Sequence, residues 1–167
     1  MRTILMDGDP GHDDVIAFLM ALGHPERFRI RGFTTVAGNS TAKNCTGNIL
    51  KVMDYLGVSV PVAAGYETPL VRPLDTAAKY HGETGLDGLL AYPPAVSKPL
   101  GKHAVEFLKE TILASEEKIT LVTMGPLTLP AGSQWPLGCT WLPQMLFPGR
   151  STGPRHLQIL APASGRS

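Results

Sequence analysis

The stretch Ile4-Leu5-Met6-Asp7-Gly8-Asp9-Pro10-Gly11-His12-Asp13-Asp14 is an apolar run that opens directly into four carboxylates. Thr3 to Met6 is short, apolar and bounded by turn formers, the pattern of a buried strand. Gly8, Pro10 and Gly11 prevent a regular element from continuing, which predicts a tight loop over Asp7 to His12 at the strand's carboxyl end. Beyond it Val15, Ile16, Phe18, Leu19 and Leu22 recur at helical spacing, with Asp13 or Asp14 placed to cap the helix. Strand, tight loop and helix open an α/β unit, and in open parallel sheets ligands bind at such a loop.

Carboxylates packed this closely repel one another unless something positive sits among them. Oxygen ligands on a tight turn favour a hard divalent cation, calcium or magnesium, over zinc or copper. The competing reading is structural: Asp13 caps a helix, Asp7 and Asp9 satisfy turn amides, and no metal binds. An EF-hand loop counted from Asp7 would need Gly and Glu where this chain has His12 and Phe18. The Asp-x-Asp of Asp7 and Asp9 also resembles phosphatases of the haloacid dehalogenase superfamily, but that motif continues to Thr or Val where Gly11 stands.

Further along, the first half alternates strands and helices. Phe28 to Val36 is expected as a second strand ending at Gly38-Asn39, where Asn39 reads equally as a turn residue, a helix cap or a ligand contact. Ser40 or Thr41 can cap a helix through Ile49, Leu50 and Met53 to about Leu56, with Cys45 among its core positions. Val60 to Ala63 reads as a third strand, and Gly65 to about Gly101 as mostly loop; loops of that length are functional or disordered. A helix resumes at about Val105 and runs past Ile112-Leu113, and Ile119 to Thr123 is a fourth strand. The alternation predicts a doubly wound, mostly parallel sheet of Rossmann-like type.

Composition is that of one globular domain, with 43% hydrophobic residues and a net charge of +1. That balance points to neither nucleic acid nor a membrane as partner. No secretion signal or membrane span is evident, so a cytoplasmic location is the expectation. Cys45 and Cys139 form no disulfide framework. The character changes at Leu129: residues 129–167 hold none of the 14 acidic residues but both tryptophans and six of the 15 prolines. We therefore expect 1–128 to be one part and 129–167 an irregular Pro/Gly-rich tail of different origin, a shifted reading frame or an alternative exon, joined at about residue 128.

Asp7-Gly8-Asp9-Pro10-Gly11-His12-Asp13-Asp14 resembles the Asp-x-Asp-Pro-Gly-x-Asp-Asp signature of the inosine-uridine-preferring nucleoside hydrolases, calcium-dependent enzymes that split a ribonucleoside into base and ribose. Three further segments match in order: Thr34-Thr35-Val36-Ala37-Gly38-Asn39, His81-Gly82-Glu83-Thr84-Gly85-Leu86-Asp87-Gly88, and Leu121-Val122-Thr123-Met124-Gly125-Pro126-Leu127-Thr128. The resemblance implies that Asp9 and Asp14 ligate calcium with the backbone carbonyl of Met124, and that Asp9 is also general base towards a metal-bound water. Asp7 would orient the loop or a ligand water from behind. Asp13 and Asn39 would hold ribose hydroxyls, where contacts that strengthen as an oxocarbenium-like charge develops lower the barrier. His81, which taken alone reads as a solvated loop histidine, would approach the nucleobase. His12 fills the variable position and is expected to be exposed; Glu83 and Asp87 are expected to order their loop.

The likeness stops at about residue 128, where the family continues with Asn and a long helix and this chain has Leu129-Pro130-Ala131-Gly132. Later family residues, among them a distal Asp of the calcium shell, have no counterpart, so the chain is expected to be a truncated form. Three readings follow: a nucleoside N-ribohydrolase with calcium as cofactor; a catalytically silent product that binds metal or ribose or pairs with a full-length subunit; and, third, an Asp-based magnesium-dependent phosphatase. The family also implies association into oligomers. Purine and pyrimidine nucleosides are not distinguished by the residues present.

Overall fold

A computed structural model describes residues 1–89, 91–132 and 157–160, with Leu89 and the last four by backbone alone. Among the described residues five strands form one parallel sheet: β1 (Arg2–Gly8), β2 (Phe28–Thr35), β3 (Val62–Ala64), β4 (Ile119–Thr123) and β5 (Leu157–Leu160), in the order β3-β2-β1-β4-β5. The chain moves outward from β1 to β3 and then returns to β1's other side for β4. The crevice where that direction switches lies beyond the carboxyl ends of β1 and β4, the place where a doubly wound sheet takes its ligand.

Alternation along β1 divides the core between the two faces of the sheet. Ile4 and Met6 pack with Phe18 of α1 (His12–Leu22) and with Ile49 and Met53 of α2 (Ala42–Leu56). Leu5 points the other way, against Leu108 and Ile112 of helix Ala104–Leu113 and Leu129 of the short helix Thr128–Gly132. Both faces are covered by helices, the doubly wound arrangement that the sequence pattern predicts. Cys45 is a core residue of α2, as expected.

Boundaries differ where tertiary pairing overrides the local signal. β1 runs on through Asp7 and Gly8, because Asp7 is paired with Thr34 on one side and Thr123 on the other. The expected loop therefore starts two residues later, and Asp7 belongs to the strand. α1 begins at His12 with Gly11 as its N-cap, so Asp13 caps nothing; Asp14, in the first turn, reaches back to the Gly11 amide at 3.3 Å. Thr41 caps α2, accepting from the Asn44 amide at 3.2 Å, and Gly57 closes it with φ +64°, a left-handed conformation suited to glycine.

The long segment is mostly loop, interrupted by a one-turn helix α3 (Ala78–His81) and a 3₁₀ turn (Asp87–Leu89). Two described elements fall across or within 129–167. The helix Thr128–Gly132 crosses the anticipated join, with Pro130 in its first turn, where a missing amide is harmless. β5 lies at the end of the sheet beside β4, a position compatible with its Pro-rich surroundings. Trp135, Cys139 and Trp141 lie outside the described residues. Among the described residues no helix is long and apolar enough to cross a membrane.

Candidate active site

The carboxyl end of β1 delivers Asp7, Asp9 and Asp14 into the protein, where all three are buried. Asp9 occupies a slot between two backbones: a Cβ on Gly38 would collide with one of its carboxylate oxygens and a Cβ on Gly125 with the other. Those glycines belong to the segments after β2 and β4, so three strand ends converge on one carboxylate. Gly8 is under the same restriction from Asp14, whose Oδ1 a Cβ there would strike; that Cβ would also meet the Met124 side chain.

Asn39 joins the pieces. Its amide N–H donates to Asp9 Oδ2 at 2.7 Å, and its side-chain Nδ2 donates to the Asp9 carbonyl at 2.9 Å and to Asp14 Oδ2 at 3.4 Å. Thr34 Oγ1 donates to Asp7 Oδ1 at 2.7 Å, and the Met124 amide donates to the Asp7 carbonyl at 2.8 Å. The other oxygens of Asp7 and Asp14, Oδ2 and Oδ1 respectively, are buried without a hydrogen-bond partner. Such an atom carries a desolvation cost that a partner would remove.

The electrostatics follow from this geometry. Burial, opposed by the Thr34 hydrogen bond and reinforced by the charges of Asp9 and Asp14, raises Asp7 from 3.8 to about 8. Burial and the charge of Asp9 raise Asp14 to about 7, and burial, partly offset by the Asn39 amide, raises Asp9 to about 6. Among the described residues the hydrogen bonds to these acids come from neutral donors. A bound cation would offset their charge.

Among the described residues no three His, Cys, Asp or Glu side chains are gathered closely enough to cage a metal. The donors that would suit a hard cation are the two carboxylates Asp9 and Asp14. The unpartnered Asp14 oxygen is the observation in favour of that fit.

Asp13, one residue before Asp14, is exposed, and its charge raises both Asp9 and Asp14. His81, at the end of α3, meets the same loop: a Cβ on Gly11 would lie 2.6 Å from Asn39 Nδ2 and 2.8 Å from His81 Nδ1. The structure thus brings Asp7, Asp9, Asp14, Asn39 and His81 together around Gly8 to Gly11, with Met124 behind and Asp13 at the rim. An open recess of about 420 Å³ adjoins the cluster through Gly38 and Pro126 and is otherwise walled largely by Leu70, Val71, Leu74 and Leu127.

Two positioning residues have no counterpart among the sequence-predicted set. Asn48 of α2 donates to the carbonyls of Pro10, at 3.1 Å, and Thr84, at 2.9 Å, tying the Asp loop to the His81 loop. Ser40 Oγ donates to the Glu83 carbonyl at 3.1 Å. Asn48 could have been found as a polar residue at a buried helical position between Cys45 and Ile49. Asp87 orders its loop, as expected, accepting from the Thr84 amide at 3.0 Å and the Thr84 hydroxyl at 2.6 Å.

The inosine-uridine preferring nucleoside hydrolase family matches residues 4–130. The chain belongs to this family. It is 44% identical over 127 residues to the pyrimidine-specific ribonucleoside hydrolase RihB of Escherichia coli, a match that takes in 76% of this chain and 40% of RihB. Among solved structures it resembles a purine-preferring ribonucleoside hydrolase from Gardnerella vaginalis (TM-score 0.73, 28% identity, 79% of this chain and 43% of that one). The plant nucleoside hydrolase PpNRh1 is similar at TM-score 0.71 and 32% identity, over 79% of this chain and 42% of that enzyme. The chain thus spans about 40% of the length of the curated relatives it matches, and the family segment it carries contains every carboxylate of the cluster.

Proposed function

We propose that the cluster is the water-activating and ribose-binding part of a nucleoside N-ribohydrolase site, dependent on calcium. The observation that carries this reading is the convergence of Asp9, Asp14 and Asn39 at the sheet's switch point, with a buried carboxylate oxygen left unpartnered. Asp9 and Asp14 would hold the cation together with the Met124 carbonyl. When bound, the cation supplies Lewis-acid charge that makes a water easier to deprotonate and neutralises the buried acids.

Asp9 is the general base. Held by the Asn39 amide on one oxygen, it keeps the other to accept a proton from the attacking water. Asp7 is fixed by Thr34 and supports the loop from behind. Asp13, exposed beside the cluster, and Asn39 are assigned to ribose hydroxyls. The attacking oxygen bonds to the anomeric carbon, the N-glycosidic bond breaks, and its electron pair leaves with the base, which His81 is assigned to contact. Contacts that grip the ribose most strongly as positive charge develops lower the barrier. The purine or pyrimidine preferences of the relatives are theirs; either class of ribonucleoside is a candidate here.

A second reading, a silent chain that keeps metal or ribose binding and pairs with a full-length subunit, is supported by the share of the relatives that it spans. One experiment separates the two: ribose release from inosine and uridine by the purified chain, in calcium and in chelator, beside Asp9→Ala. Calcium-dependent release that is lost in Asp9→Ala supports the hydrolase. No release from folded protein that still binds calcium moves the chain to the second reading.

A further inference from the structure

His12 occupies the variable position of the Asp-rich motif and is exposed, which gives it no evident purpose from sequence. The fold nevertheless brings it to a partner 69 residues away: His12 Nδ1 lies 3.2 Å from His81 Nδ1. The two rings are stacked, with centroids 5.5 Å apart and planes inclined by 22°. Two ring nitrogens at hydrogen-bond distance must divide their roles, one carrying hydrogen and the other a lone pair. Whichever way they divide fixes what the far nitrogen of His81 offers to a ligand.

The surroundings favour one division. The backbone of the His81 loop is secured by Asn48 and Ser40, so the His12 contact acts on the ring rather than on the loop's path. Asp13 follows His12 directly in the chain, and Asp87, its carboxyl held low chiefly by the Thr84 hydroxyl and amide, is also attracted to His12. Negative charge there favours hydrogen on His12 and the lone pair on His81.

We propose that His12 is a positioning residue that donates its Nδ1–H to His81 Nδ1, holding the His81 ring with its hydrogen on Nε2 as a donor for acceptor atoms of a nucleobase. This rests on reading the adjoining carboxylate cluster as a ribonucleoside site. His12 itself touches no reacting atom.

The test is the imidazole nitrogen spectrum of the ¹⁵N-labelled full chain at neutral pH. The expected result is a His81 ring with hydrogen on Nε2, shifting towards a mixture of the two forms in His12→Ala. His12→Asn, whose amide nitrogen can take the place of Nδ1–H, should restore it. A His81 ring already carrying hydrogen on Nδ1 in the unsubstituted chain overturns the proposal without any variant. So does a ring unchanged in folded His12→Ala. Titration with inosine and uridine supplies the second readout: affinity should fall about 2–10-fold in His12→Ala, the loss of one neutral hydrogen bond, and recover in His12→Asn. If the ring responds to His12 as expected but neither nucleoside binds the unsubstituted chain, the ribonucleoside reading fails and the assigned role with it, while the hydrogen-bonded pair stands. Those two failures are therefore distinguishable.

Discussion

The same three central strands, β1, β2 and β4, carry charge at both ends of the sheet and treat it in opposite ways. At the amino end Arg29 of β2 pairs with Glu117, just before β4, and both contact the Thr3 hydroxyl of β1, at 2.9 Å in each case. Both charged side chains remain substantially exposed, so water shares the work of solvating them. At the carboxyl end Asp7, Asp9 and Asp14 are buried, and among the described residues they accept from amides and a hydroxyl. One end is neutralised by the protein itself. At the other, burial and mutual repulsion raise the acids' proton affinity, so a proton or a cation that compensates them there adds stability.

The sharpest way to break this contrast is pH. All three acids have folded-state values above the ordinary 3.8, so between about 4 and 8 the folded chain holds more protons than the unfolded one. Stability in chelator should therefore fall as pH rises through that window. A tenfold change in proton affinity between the two states corresponds to about 1.4 kcal/mol, so even one such shift is a sizeable part of a fold's stability. Thermal unfolding from pH 4 to 8 checks this: Asp7→Asn should flatten the decline, calcium should reverse it at pH 8, and a rising profile in chelator would show that the acids are neutralised by some other means.

Next in size is the chemical consequence. Asp9→Ala should lower calcium-dependent ribose release at least about hundredfold, the range for loss of a positioned general base, as read by a reducing-sugar assay. Asn39→Ala removes the side-chain bonds to the Asp9 carbonyl and the Asp14 carboxylate and should cost about 1–3 kcal/mol in urea unfolding, with weaker calcium binding by calorimetry. The smallest effect belongs to the other end of the sheet. Arg29→Ala should cost only about 0–1 kcal/mol and leave calcium affinity unchanged. A larger loss there would mean that the exposed pair contributes more than an ordinary surface ion pair.

Much of the cluster is legible in the order of residues along the chain. The Asp-rich motif after an apolar run places Asp9 on a loop at a strand end and Asp14 at the start of the following helix, and the glycines Gly8, Gly38 and Gly125 are the ones whose missing Cβ leaves room for those carboxylates. The partners of Asn48 and Thr34 are not legible in this way, because they lie 25 or more residues distant; local spacing marks Asn48 only as a polar residue on a buried helical face. Asp7 departs from its expected place in the loop for the same reason: a strand's length depends on its neighbours, and both neighbours of β1 continue past Met6.

Sequence alone determined the parallel α/β class, the family and the run of carboxylates that forms the cluster, since periodicity, turn formers and ordered motifs are local properties of the chain. Only the tertiary structure decided that Asp7, Asp9 and Asp14 are buried together, that Asn39 bridges two of them, and that His12 meets His81. Burial and contact across long sequence separations are set by how strands and helices pack. No window of the sequence contains them.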